Sequence, residues 1–169
     1  MPCEPSHLCW QWHCLERDKE VTRMPFASHA MTIDEKRDQL VDELMPFEDP
    51  FERFAYVIDR AKAVPPLDDE YKVDTFLIKG CISQLWIFPQ FQDGKCHYQA
   101  DSDAAITKGT ASLLCELYSD ESPQAIIELE PDFLADVGIT QHLSPNRRNG
   151  LSSVRQKIKA YAELCLRNQ

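Results

Sequence analysis

The sequence predicts an α+β domain in which a three-stranded antiparallel sheet packs against flanking helices. Two amphipathic helical segments come first, a group of short strand-like segments occupies the middle of the chain, and the remainder returns to helical spacing of apolar residues. Three short antiparallel strands need helices against one face to be stable, so the strands and the helices of this prediction require each other.

Two helices are predicted by the residues at their ends. Thr32 opens a Thr-Ile-Asp-Glu capping-box pattern before an amphipathic helix over residues 33–45. Asp49 and Pro50 then provide an N-cap and a proline at the first helical position of a second helix. The pair Pro65-Pro66 ends this helix, because proline lacks an N–H and disfavours a helical residue before it.

Three strand-like segments follow the second helix. Alternating apolar residues predict a first strand over residues 73–80, and residues 82–88 form a second run rich in β-branched and aromatic side chains. The Asp93-Gly94 pair is a tight-turn signal, so residues 95–100 are predicted to form the third, antiparallel strand.

Helical spacing resumes at Asp103 and continues to the end of the chain. The Ser122-Pro123 and Glu130-Pro131 pairs predict two short helices, and Gly138 is a suitable stop for the second of them. Ser144-Pro145 predicts the start of a long C-terminal helix, with serine at the N-cap and proline at the first position.

The first turns of this long helix contain unusual residues. Gly150 costs about 1 kcal/mol relative to alanine inside a helix, so we expect close packing or the approach of a partner there. Arg147 and Arg148 place cations where the helix dipole disfavours them. This placement predicts a partner carboxylate, on Asp101, on Asp103 or on another molecule, with a solvated basic spot as the alternative.

Composition excludes several classes of function. The chain has 169 residues, with 18 Lys and Arg against 28 Asp and Glu, so its formal net charge is −10. This acidity argues against nucleic-acid binding and against binding to anionic membranes, since both need clustered basic charge. No apolar run approaches the roughly 18 to 20 residues of a membrane span, and no signal peptide is recognisable. We therefore expect a cytoplasmic protein.

Residues 1–31 differ from the rest of the chain, because no hydrophobic period organises them. They are expected to be a disordered extension, or to result from a start assigned upstream of the real one, which leaves residues 32–169 as the domain. Cysteines and histidines in this segment could in principle hold zinc, but their spacing is not that of a paired Cys-x-x-Cys motif.

Seven cysteines at irregular spacing do not suggest a secreted disulfide framework, so a reducing compartment is expected. Cys96, Cys115 and Cys165 lie within predicted elements and are expected to be buried packing. Cys81 instead lies between two predicted strands, next to Gly80, which permits a sharp loop. It is the candidate for single-thiol chemistry, with a small buried hydrophobe as the alternative.

Motifs for other chemistry are absent from the sequence. It contains no Gly-rich phosphate loop, no His-Glu-x-x-His and no Cys-x-x-Cys redox pair. His97 and His142 are the histidines of the predicted domain, and either could act as a base for Cys81 or lie at the surface. The remaining options are single-thiol chemistry or none.

Three separated segments are similar to those of a known family. They are Gly80–Trp86, Asp101–Ile106 with Lys108-Gly109, and His142–Leu151. Their order and spacing resemble SufE, a sulfur-acceptor protein that works with a cysteine desulfurase in iron–sulfur cluster assembly. The resemblance covers about residues 34–167.

This resemblance implies an α+β fold shared with IscU-type scaffolds and a role for Cys81 as acceptor of persulfide sulfur. In the family, this cysteine lies on a loop that shelters it at rest and swings out when the desulfurase docks. Asp103 and Arg147 match family residues associated with the desulfurase interaction or with the setting of the loop. Arg148 departs from the family, where a small polar residue is more usual, and no role is carried over to it.

The expected function is that of a sulfur acceptor and activator of a SufS-type cysteine desulfurase, passing sulfur from Cys81 to a SufBCD-type cluster scaffold. No cofactor and no metal are expected, and the sulfur would be carried as a covalent persulfide on Cys81. Whether the chain is an enzyme is left open, because it would stimulate a PLP-dependent desulfurase rather than act alone. A homodimer is also left open. The alternatives are an IscU-like scaffold or metal-binding module, and a structural domain that binds a partner through its acidic face.

Overall fold

The structure, a computed structural model, describes residues 31–129 and 133–168. The expectations for the N-terminal extension, including its zinc site, therefore lie outside the described residues except for Met31. The Glu130-Pro131 helix start also lies outside them.

Helices flank a single β-hairpin in the described part of the chain. In chain order, the elements are α1 (Ile33–Leu44), α2 (Pro50–Ala63), β1 (Leu85–Gln92), β2 (Lys95–Ser102), α3 (Ala105–Tyr118), α4 (Pro123–Glu128), α5 (Phe133–Asp136) and α6 (Pro145–Arg167), with 3₁₀ turns at Asp69–Tyr71 and Thr140–His142. This order of helices, strands and helices confirms the predicted α+β class.

The first two helices begin where their capping residues predict. The Thr32 hydroxyl accepts a hydrogen bond from the Glu35 N–H at 3.3 Å, and the Glu35 carboxylate accepts one from the Thr32 N–H at 2.8 Å. The Asp49 carboxylate accepts from the Phe51 N–H at 2.9 Å, with Pro50 at the first helical position. These signals succeed because each involves residues only a few positions apart.

The later helices also follow their sequence signals. The Ser122 hydroxyl accepts from the Ala125 N–H at 3.3 Å and starts α4. Gly138 follows α5 with a φ of 75°, as expected of a glycine that ends a helix. α6 begins at Pro145 as predicted, although the Ser144 side chain makes no capping hydrogen bond within the described chain.

The two strands pair antiparallel along their whole length. They are joined at Asp93 and Gly94, whose φ angles of 53° and 76° suit the predicted tight turn. β1 extends past its predicted end and through Pro89, which an interior strand position would not tolerate. The Ile87 N–H, two residues earlier on the same edge, donates to the Phe76 carbonyl rather than to β2. Pro89 therefore lacks a donor only on the edge away from β2.

The predicted first strand, over residues 73–80, is wrong: in the described residues the sheet has two strands, which correspond to the predicted second and third. Of residues 73–80, only Leu77 forms an isolated antiparallel bridge, to Trp86. The chain instead turns at Val73, whose carbonyl accepts from the N–H groups of Phe76 and Leu77. The local turn competes with the alternating pattern, so the segment lies beside β1 without becoming a full strand.

The core lies between the hairpin, α3 and α6. Its largest fully buried side chains are Tyr118, Leu44, Leu85, Ile87, Leu113, Leu114, Leu117, Ile126, Ile139, Ile158 and Val57. α2 crosses α3 closely at Gly109, where a Cβ would lie 2.6 Å from the Val57 carbonyl oxygen. No helix of the described residues is both long enough and apolar enough to cross a membrane.

Three cysteines belong to this core, as predicted. Cys96, Cys115 and Cys165 are buried free thiols. Burial raises the pKa of Cys96 and that of Cys115 to about 12. The thiols of Cys96 and Cys115 therefore stay protonated at neutral pH and are poor nucleophiles.

Candidate functional site

Cys81 lies on an irregular loop just before β1, as predicted. We call residues 79–84 the Cys81 loop. Gly80 has a φ of 87°, a left-handed conformation that favours glycine. The Cys81 thiol is free and half-buried, whereas the neighbouring Ile82 is 79% exposed. The loop thus holds the thiol partly sheltered and presents an apolar side chain to solvent beside it.

The thiol rests against the first turns of α6. A Cβ on Gly150 would lie 2.9 Å from Cys81 Sγ and 3.5 Å from Cys81 Cβ. Real Cβ atoms do not approach other atoms so closely, so this resting place needs a residue without a side chain. The close packing expected at Gly150 from the sequence is confirmed, and it joins the first and third of the matched segments.

The C-terminal end of the Cys81 loop is fixed by the second matched segment. The Gln84 carbonyl accepts a hydrogen bond from the Ser102 hydroxyl at 2.6 Å and another from the Asp103 N–H at 3.2 Å. Ser102 ends β2 and Asp103 follows it, so the end of the hairpin holds the loop three residues from Cys81. The three matched segments therefore meet around a single loop.

The chain leading into the loop is held by β1 and α6. The Ile78 N–H donates to the Leu85 carbonyl at 2.7 Å. Three residues earlier, the Thr75 carbonyl accepts from Lys157 Nζ of α6, also at 2.7 Å. Burial and the nearby charge of Lys79 lower the pKa of Lys157 to about 8.

Asp101, which precedes Ser102 near the end of β2, carries a buried carboxylate. Its oxygens lie 3.1 Å from Lys72 Nζ and 3.2 Å from Lys108 Nζ, and one accepts from the Leu67 N–H at 3.2 Å. Burial alone would raise the pKa of Asp101, but the hydrogen bonds from Lys72 and Lys108 and the charge of Lys108 bring it below its ordinary value.

The sequence predicts Asp101 to be a helix cap or a partner for the arginines of α6. The structure corrects that expectation, because Lys72 and Lys108 hold this carboxylate and, within the described residues, neither Arg147 nor Arg148 pairs with it or with Asp103. Lys108, seven residues after Asp101, is the partner that the sequence could have indicated. Lys72 is distant in sequence, so its contact with Asp101 is visible only in the fold. That Arg147 and Arg148 pair with a carboxylate on another molecule stays a prediction.

The other two predicted site residues are exposed. Asp103 lies just before α3, with its backbone bonded to the Cys81 loop. Arg147 lies in the first turn of α6, one turn before Gly150, and is also exposed. Both therefore flank the loop with charges that another molecule could reach.

The two histidines of the domain have other neighbours. His97 lies in β2, and its Nδ1 is 3.2 Å from an Asp120 carboxylate oxygen. The His142 ring packs edge-on against Phe54, with ring centroids 6.4 Å apart. In the described part of the chain, no group of three or more His, Cys, Asp or Glu side chains is arranged to hold a metal ion.

Comparisons with known proteins match this architecture. The model of the SufE family, described as an Fe-S metabolism associated domain, matches residues 38–162. An uncharacterised SufE-like protein of Synechocystis sp. is 32% identical over 124 residues, which cover 73% of this chain and 78% of that protein. The solution structure of a hypothetical protein from Thermus thermophilus has the same fold, with a TM-score of 0.65 and 22% identity over 78% of this chain and 96% of the other.

Proposed function

The chain belongs to the SufE family of Fe-S metabolism associated domains, and from this membership we propose that it accepts sulfur from a cysteine desulfurase on Cys81. The observation that carries the proposal is the position of Cys81. It is a half-buried free thiol on an exposed loop, whereas the other cysteines of the described residues lie in the core. All three matched segments lie within the family match and converge on this loop.

The proposed step is a thiol exchange. The Cys81 thiol loses its proton, and the thiolate attacks the terminal sulfur of the persulfide on the desulfurase cysteine. A new S–S bond forms at Cys81, the S–S bond on the desulfurase breaks, and that cysteine leaves as a thiolate. The sulfur is transferred with no net oxidation or reduction, so no further cofactor is needed.

The resting position of Cys81 supports such a role. A persulfide exposed to solvent thiols would lose its sulfur by the same exchange reaction. Because Cys81 packs against Gly150, solvent thiols cannot reach the side of the Cys81 thiol that faces α6. A docking partner that draws the loop outward would bring the two sulfur atoms together, which is a proximity effect.

Asp103 and Arg147 are proposed to receive the partner. Both are exposed and flank the Cys81 loop, and both match family residues associated with the desulfurase interaction or the setting of the loop. Ile82, the residue after Cys81, is exposed and offers an apolar side chain to the same partner. We assign the docking partner as a SufS-type desulfurase that this protein activates, and the recipient of the sulfur as a SufBCD-type scaffold, in the cytoplasm.

The test is intact-mass analysis of the full chain after incubation with a cysteine desulfurase and cysteine, without added reductant. We expect a gain of one sulfur atom that peptide mapping places on Cys81 and that a thiol reductant removes. Desulfurase turnover, measured in parallel, should rise when the chain is present.

Two variants sharpen this test. Cys81→Ser should stay folded and lose both the mass gain and the stimulation of turnover. The matched control replaces Cys3, Cys9 and Cys14 of the N-terminal segment by serine and should keep both. Retention of the sulfur in Cys81→Ser would refute the acceptor role. Stoichiometric iron or zinc in the purified protein would favour the alternative, a scaffold or metal-binding module.

A further inference from the structure

The Cys81 loop and the segment that leads into it are held by different kinds of contact. At Gln84, two donors from the end of the hairpin bond one carbonyl. On the other side, Lys157 of α6 reaches the carbonyl of Thr75. Between these points, Leu77 and Ile78 are attached to β1. Lys79, Gly80 and Ile82 are exposed, so the part of the segment next to Cys81 has few contacts of its own.

The positions of the two contacts on α6 are related. Gly150 and Lys157 are seven residues apart, which is about two turns, so both lie on one face of the helix roughly 10 Å apart. Cys81 rests on Gly150 and Thr75 is bonded to Lys157. The chain from Thr75 to Cys81 therefore contacts α6 at both of its ends.

We propose that Lys157 is a positioning residue for Cys81, because its ammonium holds the Thr75 carbonyl and so keeps the thiol seated on Gly150. Only the biological purpose of this positioning rests on the proposed function. The positioning itself is a property of the free protein and does not need a desulfurase.

The surroundings of Lys157 support a specific role. Lys157 is half-buried, and within the described residues no carboxylate forms an ion pair with it. Removing an ammonium from water is unfavourable, and a hydrogen bond to one carbonyl offsets only part of that cost. The charge of Lys79 adds repulsion, as the lowered pKa of Lys157 reflects. A solvent-exposed lysine would avoid these costs.

The direction of the effect follows from these contacts. With Lys157 in place, Thr75 is fixed and the Cys81 loop stays against α6. Without it, the chain before Gly80 is attached through the Ile78 and Leu77 contacts with β1, while Thr75 is free to move away from the helix. Cys81 then spends more time away from Gly150 and is more accessible.

The experiment measures the alkylation rate of Cys81 by iodoacetamide in the full chain, read by peptide mapping. Lys157→Met keeps the side-chain length and removes the donor, and we expect Cys81 to react roughly tenfold faster, because a charge-assisted hydrogen bond is lost. Lys157→Arg keeps a cationic donor and should bring the rate back to within about twofold of the original. The matched control is Lys62→Met on α2, where the lysine is 71% exposed, and its rate should not change.

The buried cysteines distinguish local release from general loosening. Alkylation of Cys115, which is buried in the core, should stay slow in all variants. Equal acceleration at Cys81 and Cys115 would overturn the proposal, because it would indicate general unfolding. An unchanged Cys81 rate in Lys157→Met, or a rate in Lys157→Arg as high as in Lys157→Met, would also overturn it. Failure of sulfur loading at Cys81 would refute the proposed function and leave these rates unaffected.

Discussion

Cys81 Sγ lies 2.9 Å from the point that a Cβ on Gly150 would occupy, so the thiol fills the space of the side chain that this helical glycine lacks. The glycine is not needed for its backbone angles, since it lies within the regular helix α6. It is needed because the thiol occupies the volume of its missing side chain. A substitution at Gly150 can therefore change the reactivity of Cys81 without lowering the stability of the helix.

Gly150→Ala should therefore raise the reactivity of Cys81 without destabilising the protein. The new methyl group displaces the thiol, while alanine improves helix propensity by about 1 kcal/mol. We expect alkylation of Cys81 to be several-fold faster and the free energy of unfolding to change by less than about 1 kcal/mol. Ser152→Ala, an exposed position on the same helix, is the control for propensity alone. An original alkylation rate in Gly150→Ala would show that the contact does not restrict the thiol.

Asp101→Asn should destabilise the protein by about 2 kcal/mol at neutral pH, because Lys72 and Lys108 lose a charged partner in a buried place. The pKa of Asp101 is below its ordinary value in the folded state. The carboxylate therefore contributes stability above about pH 4, and this contribution is lost as the pH falls through the folded-state pKa.

Urea unfolding at several pH values checks this expectation. The difference between the original protein and Asp101→Asn should narrow below about pH 4. Asp38→Asn, which alters a carboxylate that is 68% exposed, should show little difference at any pH. A difference for Asp101→Asn that does not vary with pH would mean that the ionised carboxylate is not what stabilises the fold.

Arg147→Ala and Asp103→Ala should each weaken activation of the desulfurase and leave the fold intact. Both side chains are exposed, so their loss should change the free energy of unfolding by less than about 0.5 kcal/mol. We expect the protein concentration needed for half-maximal stimulation to rise by roughly tenfold, because a charged contact with the partner is lost.

Arg148→Ala is the matched control, since Arg148 is exposed beside Arg147 but differs from the family pattern. It should leave the stimulation nearly unchanged. Equal effects of Arg147→Ala and Arg148→Ala would indicate general electrostatic attraction rather than a defined contact.

Lys157 should also affect how stability depends on alkaline pH. Its pKa is lowered from 10.5 to about 8 in the folded protein, so between these values the unfolded chain binds more protons at this residue. This residue therefore makes stability rise with pH in that window. Cys96 and Cys115 act in the opposite sense, because burial raises their pKa values to about 12 and their thiols ionise only on unfolding.

Lys157→Met should therefore lose stability more steeply than the original protein as the pH rises from about 8 to about 10. Urea midpoints under reducing conditions provide the measurement, and Lys62→Met should follow the original protein. Parallel curves for Lys157→Met and the original protein would show that Lys157 keeps its ordinary pKa.

Local chemistry made much of the fold predictable. The capping box at Thr32, the Asp49-Pro50 start and the Asp93-Gly94 turn involve contacts within a few residues, and the structure has all three. The strand predicted over residues 73–80 failed because strand pairing depends on distant residues. A turn at Val73 competes locally with the alternating pattern.

The candidate site was predictable in part. The position of Cys81 beside Gly80 in a loop followed from the sequence, and an unexplained helical Gly150 indicated a close approach. That these two residues touch could not be read from the sequence, because about seventy residues separate them. The same limit applies to Lys157 and Thr75, whose contact exists only once α6 lies along the loop.

Pro89 has a consequence for association between chains. The outer edge of β1 is covered by Phe76, Leu77 and Ile78 near its start, and a bare strand edge is a template on which another chain can add a strand. Proline offers no N–H to such a strand at the next position along this edge. Residues 76–78 and Pro89 together disfavour the addition of another strand at the outer edge of β1, and so disfavour aggregation through this edge.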